Sequence, residues 1–272
     1  MPAPDPGAFG GPWAADLALL TEAAVAGGRI AMSRRASGFE TWEKDGGAGP
    51  VTEADLEIDR ALHAELTGAR PDYGWLSEET EDDAARLAAE RVFIVDPIDG
   101  TRAYASGGDD FGVAAAVVER GRAVAAVVVM PALGHVLQAA LGEGARCDGA
   151  PLGLAPHSGE AEGARVLASG AGLRAERWPG GVPPVKRSFR ASLAWRLCLV
   201  ARGDYDASLS LGGVWEWDAA APGLIAAEAG ASVVDALGAP PVYNRPEPRL
   251  QGLIACAPAL LPAFLSRLAP AA

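Results

Sequence analysis

Val92-Phe93-Ile94-Val95-Asp96-Pro97-Ile98-Asp99-Gly100-Thr101 is the stretch on which the reading of this chain turns. Its four leading apolar residues predict a short buried strand, with Asp96 and Asp99 at the C-terminal end. Pro97 fixes the chain direction between them, because its ring locks φ. Gly100 and Thr101 then offer backbone N–H groups and a hydroxyl suited to phosphate oxygens. A buried carboxylate costs on the order of several kcal/mol unless something positive neutralises it. Two of them beside an apolar strand imply a cation, and hard oxygen donors imply Mg²⁺ or a relative of it.

Two further acidic clusters end apolar segments: Ser77-Glu78-Glu79 and Trp215-Glu216-Trp217-Asp218. If the three converge, Glu78, Asp96, Asp99 and Asp218 supply oxygen ligands for two metals, which can clamp the attacking and leaving oxygens of a phosphoryl transfer. Thr101 would help to hold the attacking water. Each cluster also has a plainer local reading. Glu78 and Glu79 fit a solvated helix start, Asp218 fits a helix N-cap, and Asp96 and Asp99 fit a turn. Asp55 fits the closing residue of a capping box with Thr52. Haloacid-dehalogenase-type phosphatases also place aspartates after an apolar strand, but with one residue between them. Here Pro97 and Ile98 both intervene, which argues against an aspartyl-phosphate route and for activated water.

The chain has 272 residues, half of them hydrophobic, enough for one large domain or two smaller ones. Lys and Arg number 23 against 35 Asp and Glu, a net charge of −12 without a basic tract. A nucleic-acid-binding surface is not expected. Cys147, Cys198 and Cys256 lie far apart without CxxC or Cys/His spacing, so neither a zinc site nor a disulfide framework is expected. Met1 to Trp13 lacks the basic start and apolar core of a signal peptide, and no run of about 18 apolar residues reads as a membrane span. A cytoplasmic location is the expectation.

Periodicity predicts helices over 14–36, from Thr52 onward, over 192–202 and 219–229, and at the C-terminus. Strands are predicted at 75–77, 92–95, 113–118, 124–129, 165–168, 232–234 and 253–256, with 133–140 continuing the meander. Lys44 to Pro50, Gly142 to Pro151 and 170–184 read as loops. Pro222 predicts a late or irregular start for the helix after Asp218. The expected division is an N-terminal α+β subdomain, 1–146, and a C-terminal α/β subdomain, 147–272.

The ordered motifs resemble those of the inositol monophosphatase superfamily of Mg²⁺-dependent, lithium-sensitive phosphatases. They are Val51-Thr52-Glu53-Ala54-Asp55, Trp75-Leu76-Ser77-Glu78-Glu79, Asp96-Pro97-Ile98-Asp99-Gly100-Thr101 and Trp217-Asp218-Ala219-Ala220-Ala221 with Glu228-Ala229-Gly230-Ala231. The resemblance implies a mixed α/β fold, a layered α/β/α/β/α sandwich, often dimeric. It implies two or three Mg²⁺ ions. Glu78, Asp96 and the Ile98 carbonyl would bind the first, and Asp96, Asp99 and Asp218 the second. Glu78 and Thr101 would activate water, and Asp55 would support a weaker third ion, with Lys44 nearby. Gly100, Thr101, Ser192 and Asp218 would contact a small phosphate monoester.

Leu-Ser-Glu-Glu and the segment Leu197 to Gly203 are similar to CysQ-type 3′(2′),5′-bisphosphate nucleotidases. Where inositol phosphatases carry an acidic residue seven before the C-terminal Asp, this chain has Leu211, which disfavours inositol. The expected substrate is therefore 3′-phosphoadenosine 5′-phosphate. Arg187 and Arg190 are candidates for a second phosphate, against a plain reading as a solvated basic loop. Inositol or sugar phosphate hydrolysis is the alternative, and a non-catalytic phosphate-ligand sensor is the alternative from another class.

Overall fold

The computed structural model describes residues 9–44 and 49–268. Along the chain come α1 (Ala14–Ser37), β1 (Thr41–Glu43), β2 (Pro50–Thr52), α2 (Glu53–Ala69), β3 (Gly74–Ser77), β4 (Arg91–Asp99) and α3 (Thr101–Ala105). A meander follows: β5 (Gly112–Glu119), β6 (Arg122–Met130), β7 (His135–Ala140), β8 (Gly144–Cys147) and β9 (Ala150–Pro151). Then come β10 (Arg165–Ala168), β11 (Lys186–Ser188), α4 (Leu193–Ala201), β12 (Ala207–Ser210), β13 (Val214–Trp215) and α5 (Glu216–Glu228). The last elements are β14 (Ser232–Val234), β15 (Arg249–Leu250), β16 (Leu253–Cys256) and α6 (Leu261–Leu268).

Strands β3 to β9 form a seven-stranded sheet in sequence order, and a five-stranded sheet runs β11-β10-β12-β16-β14. The central strands β4 to β7 of the first sheet are buried on both faces because a helix pair covers each. On one face Leu20, Ala24, Ile58 and Leu62 of α1 and α2 pack against Phe93, Val95 and Val127. On the other, Leu197 of α4 and Leu224 and Ile225 of α5 pack against Ile94, Ala116 and Val128. The same helices lie against the second sheet, whose far face is closed by Leu260 and Phe264. The expected α/β/α/β/α layering is thus present.

Three local expectations change. Gly142–Pro151 is not a loop, because β8 and β9 pair and extend the first sheet to Pro151. The expected boundary after 146 falls inside β8. Lys44 to Pro50 is in part a strand, since β2 starts at Pro50, and its residues 45–48 lie outside the described residues. Helix α5 starts at Glu216 rather than 219, despite Pro222 in its interior. Its first turn is held from outside: the Glu216 carboxylate accepts the backbone N–H groups of Asn244 at 2.6 Å and Arg245 at 3.1 Å. Pro222 removes the donor that would otherwise serve the Asp218 carbonyl.

Candidate metal centre and adjoining cleft

Strand pairing sets the centre. Parallel pairing of β3 with β4 puts Ser77 beside Val95, so Glu78, whose N–H reaches the Val95 carbonyl at 3.4 Å, emerges next to Asp96. The β4–β5 ladder is regular to Asp96↔Ala114 and resumes at Asp99↔Gly112, with a register shift over the segment holding Pro97. Pro97 has no N–H to give the ladder, and the break lets both aspartates reach the strand end. Asp218 enters from the first turn of α5, as the third helical residue rather than the expected N-cap. Carboxylate oxygens of Glu78, Asp96 and Asp218 lie within 4.8 Å of one another.

Asp96 is 1% exposed, and neither of its oxygens has a hydrogen-bond partner. Such groups are rare in folded proteins, because an unpaired buried polar atom forfeits its hydration. Burial pushes the Asp96 carboxyl well above its ordinary value, and the charges of Glu78, Asp99 and Asp218 push the same way. Asp218 is raised by burial and by Asp99 and Glu78. An orphaned buried carboxylate among all-oxygen donors fits a hard divalent cation, and these residues could hold one.

Asp99 is occupied differently. One of its oxygens accepts the Ser192 hydroxyl and the Ala194 N–H at 2.7 Å, and the other accepts the Leu193 N–H at 3.2 Å. Its carboxylate therefore caps α4, an electrostatically favoured place for an anion. Burial raises its pKa, and these hydrogen bonds oppose the rise. Ser192, expected to contact substrate, is fully buried and accepts the Trp195 N–H at 2.8 Å. Its hydroxyl caps α4 and bonds Asp99.

Asp55 realises the capping box: Oδ2 accepts the Thr52 N–H at 2.8 Å and the Thr52 hydroxyl at 2.5 Å. Its other oxygen faces the Thr101 hydroxyl at 3.2 Å, which also lies 3.0 Å from the Ile98 carbonyl. Asp55 thus closes the capping box and at the same time contacts Thr101 across 46 residues. Burial raises its carboxyl to about 6. Gly100 takes φ +92°, and a Cβ there would stand 2.6 Å from the Asp110 carbonyl, so only glycine admits the turn from Asp99 into α3.

Lys44 donates to Glu78 at 2.8 Å and Glu79 at 2.7 Å. Burial lowers the Lys44 pKa, but the two carboxylates outweigh it and the net shift is upward. Sequence reasoning missed Asp59, one helical turn after Asp55. Its buried carboxylate accepts the hydroxyls of Ser77 at 2.5 Å and Thr80 at 2.6 Å, bracketing Glu78-Glu79. The i, i+4 spacing of Asp55 and Asp59 was the available signal.

A cleft of about 370 Å³ opens beside Asp99 and Asp218, lined also by Arg177, Arg196, Leu211 and Gly213. Arg187 and Arg190 do not line it. Arg187 donates to the Ala168 carbonyl from exposed β11, and Arg190 faces Asp110 at 3.8 Å. Arg177 reaches the Leu211 carbonyl at 2.6 Å. Among the described residues Arg196 makes only long hydrogen bonds, 3.4 Å to the Ser192 carbonyl and 3.4 Å to Ser210, and its guanidinium lies over the Phe189 ring at 5.5 Å. These two arginines come from a 3₁₀ turn and from α4, and no local pattern marked them.

Comparison with known proteins agrees with this geometry. The inositol monophosphatase family model matches residues 15–268. A 3′-phosphoadenosine 5′-phosphate phosphatase of Mycobacterium bovis is 33% identical over 229 residues, 80% of this chain and 81% of that protein. An inositol-1-monophosphatase of Rhizobium meliloti is 34% identical over 212 residues, 71% of this chain and 74% of that protein. The structure of the extragenic suppressor protein SuhB of Bartonella henselae superposes with a TM-score of 0.79 at 25% identity, covering 93% of this chain and 98% of its own. With the layered fold, the converging carboxylates and a match across nearly its whole length, this chain belongs to the inositol monophosphatase family.

Proposed function

We propose that this chain is a Mg²⁺-dependent phosphomonoesterase that converts 3′-phosphoadenosine 5′-phosphate to AMP and phosphate. The observation that carries it is the pair of unpartnered, buried Asp96 oxygens within reach of Glu78 and Asp218. In this reading Glu78, Asp96 and the Ile98 carbonyl hold one ion, and Asp96, Asp99 and Asp218 a second. Asp55 supports a weaker third. When bound, Mg²⁺ there supplies Lewis-acid polarisation of phosphate oxygens and makes water a better nucleophile.

The chain's own groups do the rest. The Thr101 hydroxyl has one proton, directed to Asp55 or to the Ile98 carbonyl, so its lone pairs can accept a hydrogen bond from the attacking water. Burial raises the Asp55 carboxyl, and its hydrogen bond with Thr101 gives that proton a route to it. Glu78 orients the water from the other side. The Gly100 and Thr101 amides face the phosphate.

Bisphosphate preference is supported by Arg177 and Arg196 in the adjoining cleft, by Leu211 in place of an acceptor, and by the name of the M. bovis relative. Hydrolysis of inositol monophosphate is the second reading, supported by the name of the R. meliloti relative. The proposed boundary between subdomains moves from 146 to the segment after Pro151, where the first sheet ends. A homodimer and a cytoplasmic site of action belong to the same proposal; no helix among the described residues is long and apolar enough to cross a membrane.

A phosphate-release panel over nucleotide, inositol and sugar phosphates, with and without Mg²⁺ and Li⁺, tests the reading. Fastest release from the bisphosphate nucleotide is expected. Faster release from inositol monophosphate would overturn the substrate, and ligand binding without Mg²⁺-dependent release would favour the sensor.

A further inference from the structure

Beside Trp195 of α4, His135, Cys147 and Asp148 bring one nitrogen, one sulfur and one oxygen together within 4.8 Å. We propose that they form a second, transition-metal site that takes Zn²⁺ or Co²⁺. No short ligand spacing marks the site, since His135 and Cys147 stand twelve positions apart. The hairpin supplies it. Antiparallel pairing sets Leu137 opposite Cys147, so His135, two residues earlier, shares the Cys147 face of the sheet. Asp148 follows at φ 51°, a left-handed position, and its side chain turns back over the strand end.

Three distances define the triangle. His135 Nδ1 lies 2.8 Å from Asp148 Oδ2, Cys147 Sγ 3.9 Å from His135 Nδ1, and Cys147 Sγ 3.5 Å from Asp148 Oδ2. Zinc bonds of ~2.3 Å to sulfur and ~2.0–2.1 Å to nitrogen and oxygen give tetrahedral edges of ~3.6 Å for S···N, ~3.5 Å for S···O and ~3.3 Å for N···O. The triangle therefore closes on a tetrahedral ion with shifts of about half an ångström or less.

The ligands are supported from outside the triangle. Asp148 Oδ1 accepts the Val136 N–H at 2.8 Å, which fixes the carboxylate and leaves Oδ2 for the ion. The His135 ring stacks on Trp195 of α4, with centroids 5.8 Å apart. Such outer contacts orient metal ligands. The His and Asp side chains are 31% and 44% exposed, so an ion has an entry path and a solvent-side fourth position. Binding replaces the Cys147 S–H bond with a metal–thiolate bond and releases that proton to water; the Nδ1 proton that His135 shares with Asp148 in the metal-free protein moves to Nε2 by way of solvent, which frees the Nδ1 lone pair for the ion. The sulfur and imidazole donors select against Mg²⁺, which prefers oxygen, and so separate this site chemically from the acidic one.

The test uses full-length protein with Mg²⁺ in excess, so that the acidic centre is occupied, and Co²⁺ as the probe. One equivalent of Co²⁺ should produce a thiolate-to-cobalt charge-transfer band with intense tetrahedral visible bands, and Zn²⁺ should displace it. Cys147→Ser should lose the charge-transfer band with far-ultraviolet circular dichroism unchanged. Cys198→Ser and Asp96→Asn should keep it. His135→Ala should also lose the tetrahedral bands, which covers the case in which Cys147→Ser misfolds. Absence of a thiolate band in the unmodified protein, or its survival in Cys147→Ser or loss in Cys198→Ser, overturns the site.

Discussion

Ser192 and Asp99, 93 residues apart, share a buried hydrogen bond that joins the first turn of α4 to the end of β4. The same hydroxyl accepts the Trp195 N–H, so one oxygen caps the helix and fixes a carboxylate of the acidic centre. Ser192→Ala removes both. Loss of the cap costs about 1 kcal/mol and the bond to a buried carboxylate about 1.5–3 kcal/mol, so destabilisation of about 2–4 kcal/mol is expected. Urea unfolding at saturating Mg²⁺ checks it, with Ser192→Thr as the control that keeps the oxygen. Unchanged midpoints in the alanine variant would remove Ser192 from this role.

Asp96→Asn exchanges an unpartnered, buried carboxyl for a neutral amide of similar size. Turnover should fall by orders of magnitude, while the metal-free variant should melt at or above the unmodified protein, because like charges no longer crowd Glu78 and Asp218. Mg²⁺ should raise the melting temperature of the unmodified protein markedly and of the variant little, since a ligand stabilises only the state that binds it. Equal Mg²⁺ shifts in the two proteins would contradict a metal role for Asp96.

Much of this centre was readable because its parts are local. The Thr52–Asp55 box and the β4 aspartates each sit within a few residues of their own structural cause. What joins them was not. The Ser192–Asp99 bond, the docking of Glu216 on Asn244 and Arg245, and the bond from Arg177 to the Leu211 carbonyl depend on chain contacts 28 or more residues apart, and Arg196 reaches Ser210 across 14. Pro222 led to an expected late start of α5, whereas the helix begins at Glu216. The hydrogen bonds from Asn244 and Arg245 outweighed it and began α5 early.

Acidity should affect the metal-free protein in an unusual direction. Burial raises Asp55 from 3.8 to about 6 and Glu79 from 4.5 to about 7. In that window the folded state binds more protons than the unfolded state, so stability falls as pH rises. Stability from these two groups is fully present below their unfolded values and is lost by about pH 7. Mg²⁺ needs deprotonated ligands, so its stabilisation grows over the same window. Urea midpoints from pH 4.5 to 7.5 should decline in EDTA and decline less, or climb, in Mg²⁺. A climb in EDTA would contradict the burial argument.

Lys44 neutralises the same carboxylate that the proposed centre needs, since its ammonium lies 2.8 Å from Glu78. An ion drawn to Glu78 competes with that contact. Lys44→Gln should therefore tighten Mg²⁺ binding in calorimetric titration while destabilising the metal-free protein, where Glu78 and Glu79 would be left as adjacent unpaired charges. Weaker Mg²⁺ binding in the variant would show instead that Lys44 organises the site for the ion.

Leu211 lines the same cleft as the two arginines that sequence reasoning overlooked, and its carbonyl accepts from Arg177. A phosphate bound by Arg196 gains a charge-assisted hydrogen bond worth about 1.5–3 kcal/mol, or roughly 10- to 150-fold in kcat/KM. Arg196→Gln should impose that loss on the bisphosphate nucleotide and much less on a nucleoside 3′-monophosphate, which lacks the second phosphate. Leu211→Asp should act in the same direction by placing a carboxylate beside the arginines, and should improve use of inositol monophosphate by restoring an acceptor for its hydroxyls. Parallel kcat/KM measurements on the three substrates separate these effects. An Arg196→Gln loss of equal size on the mono- and bisphosphate would place that guanidinium at the scissile phosphate, through its proximity to Asp99 and Asp218, rather than at a second one.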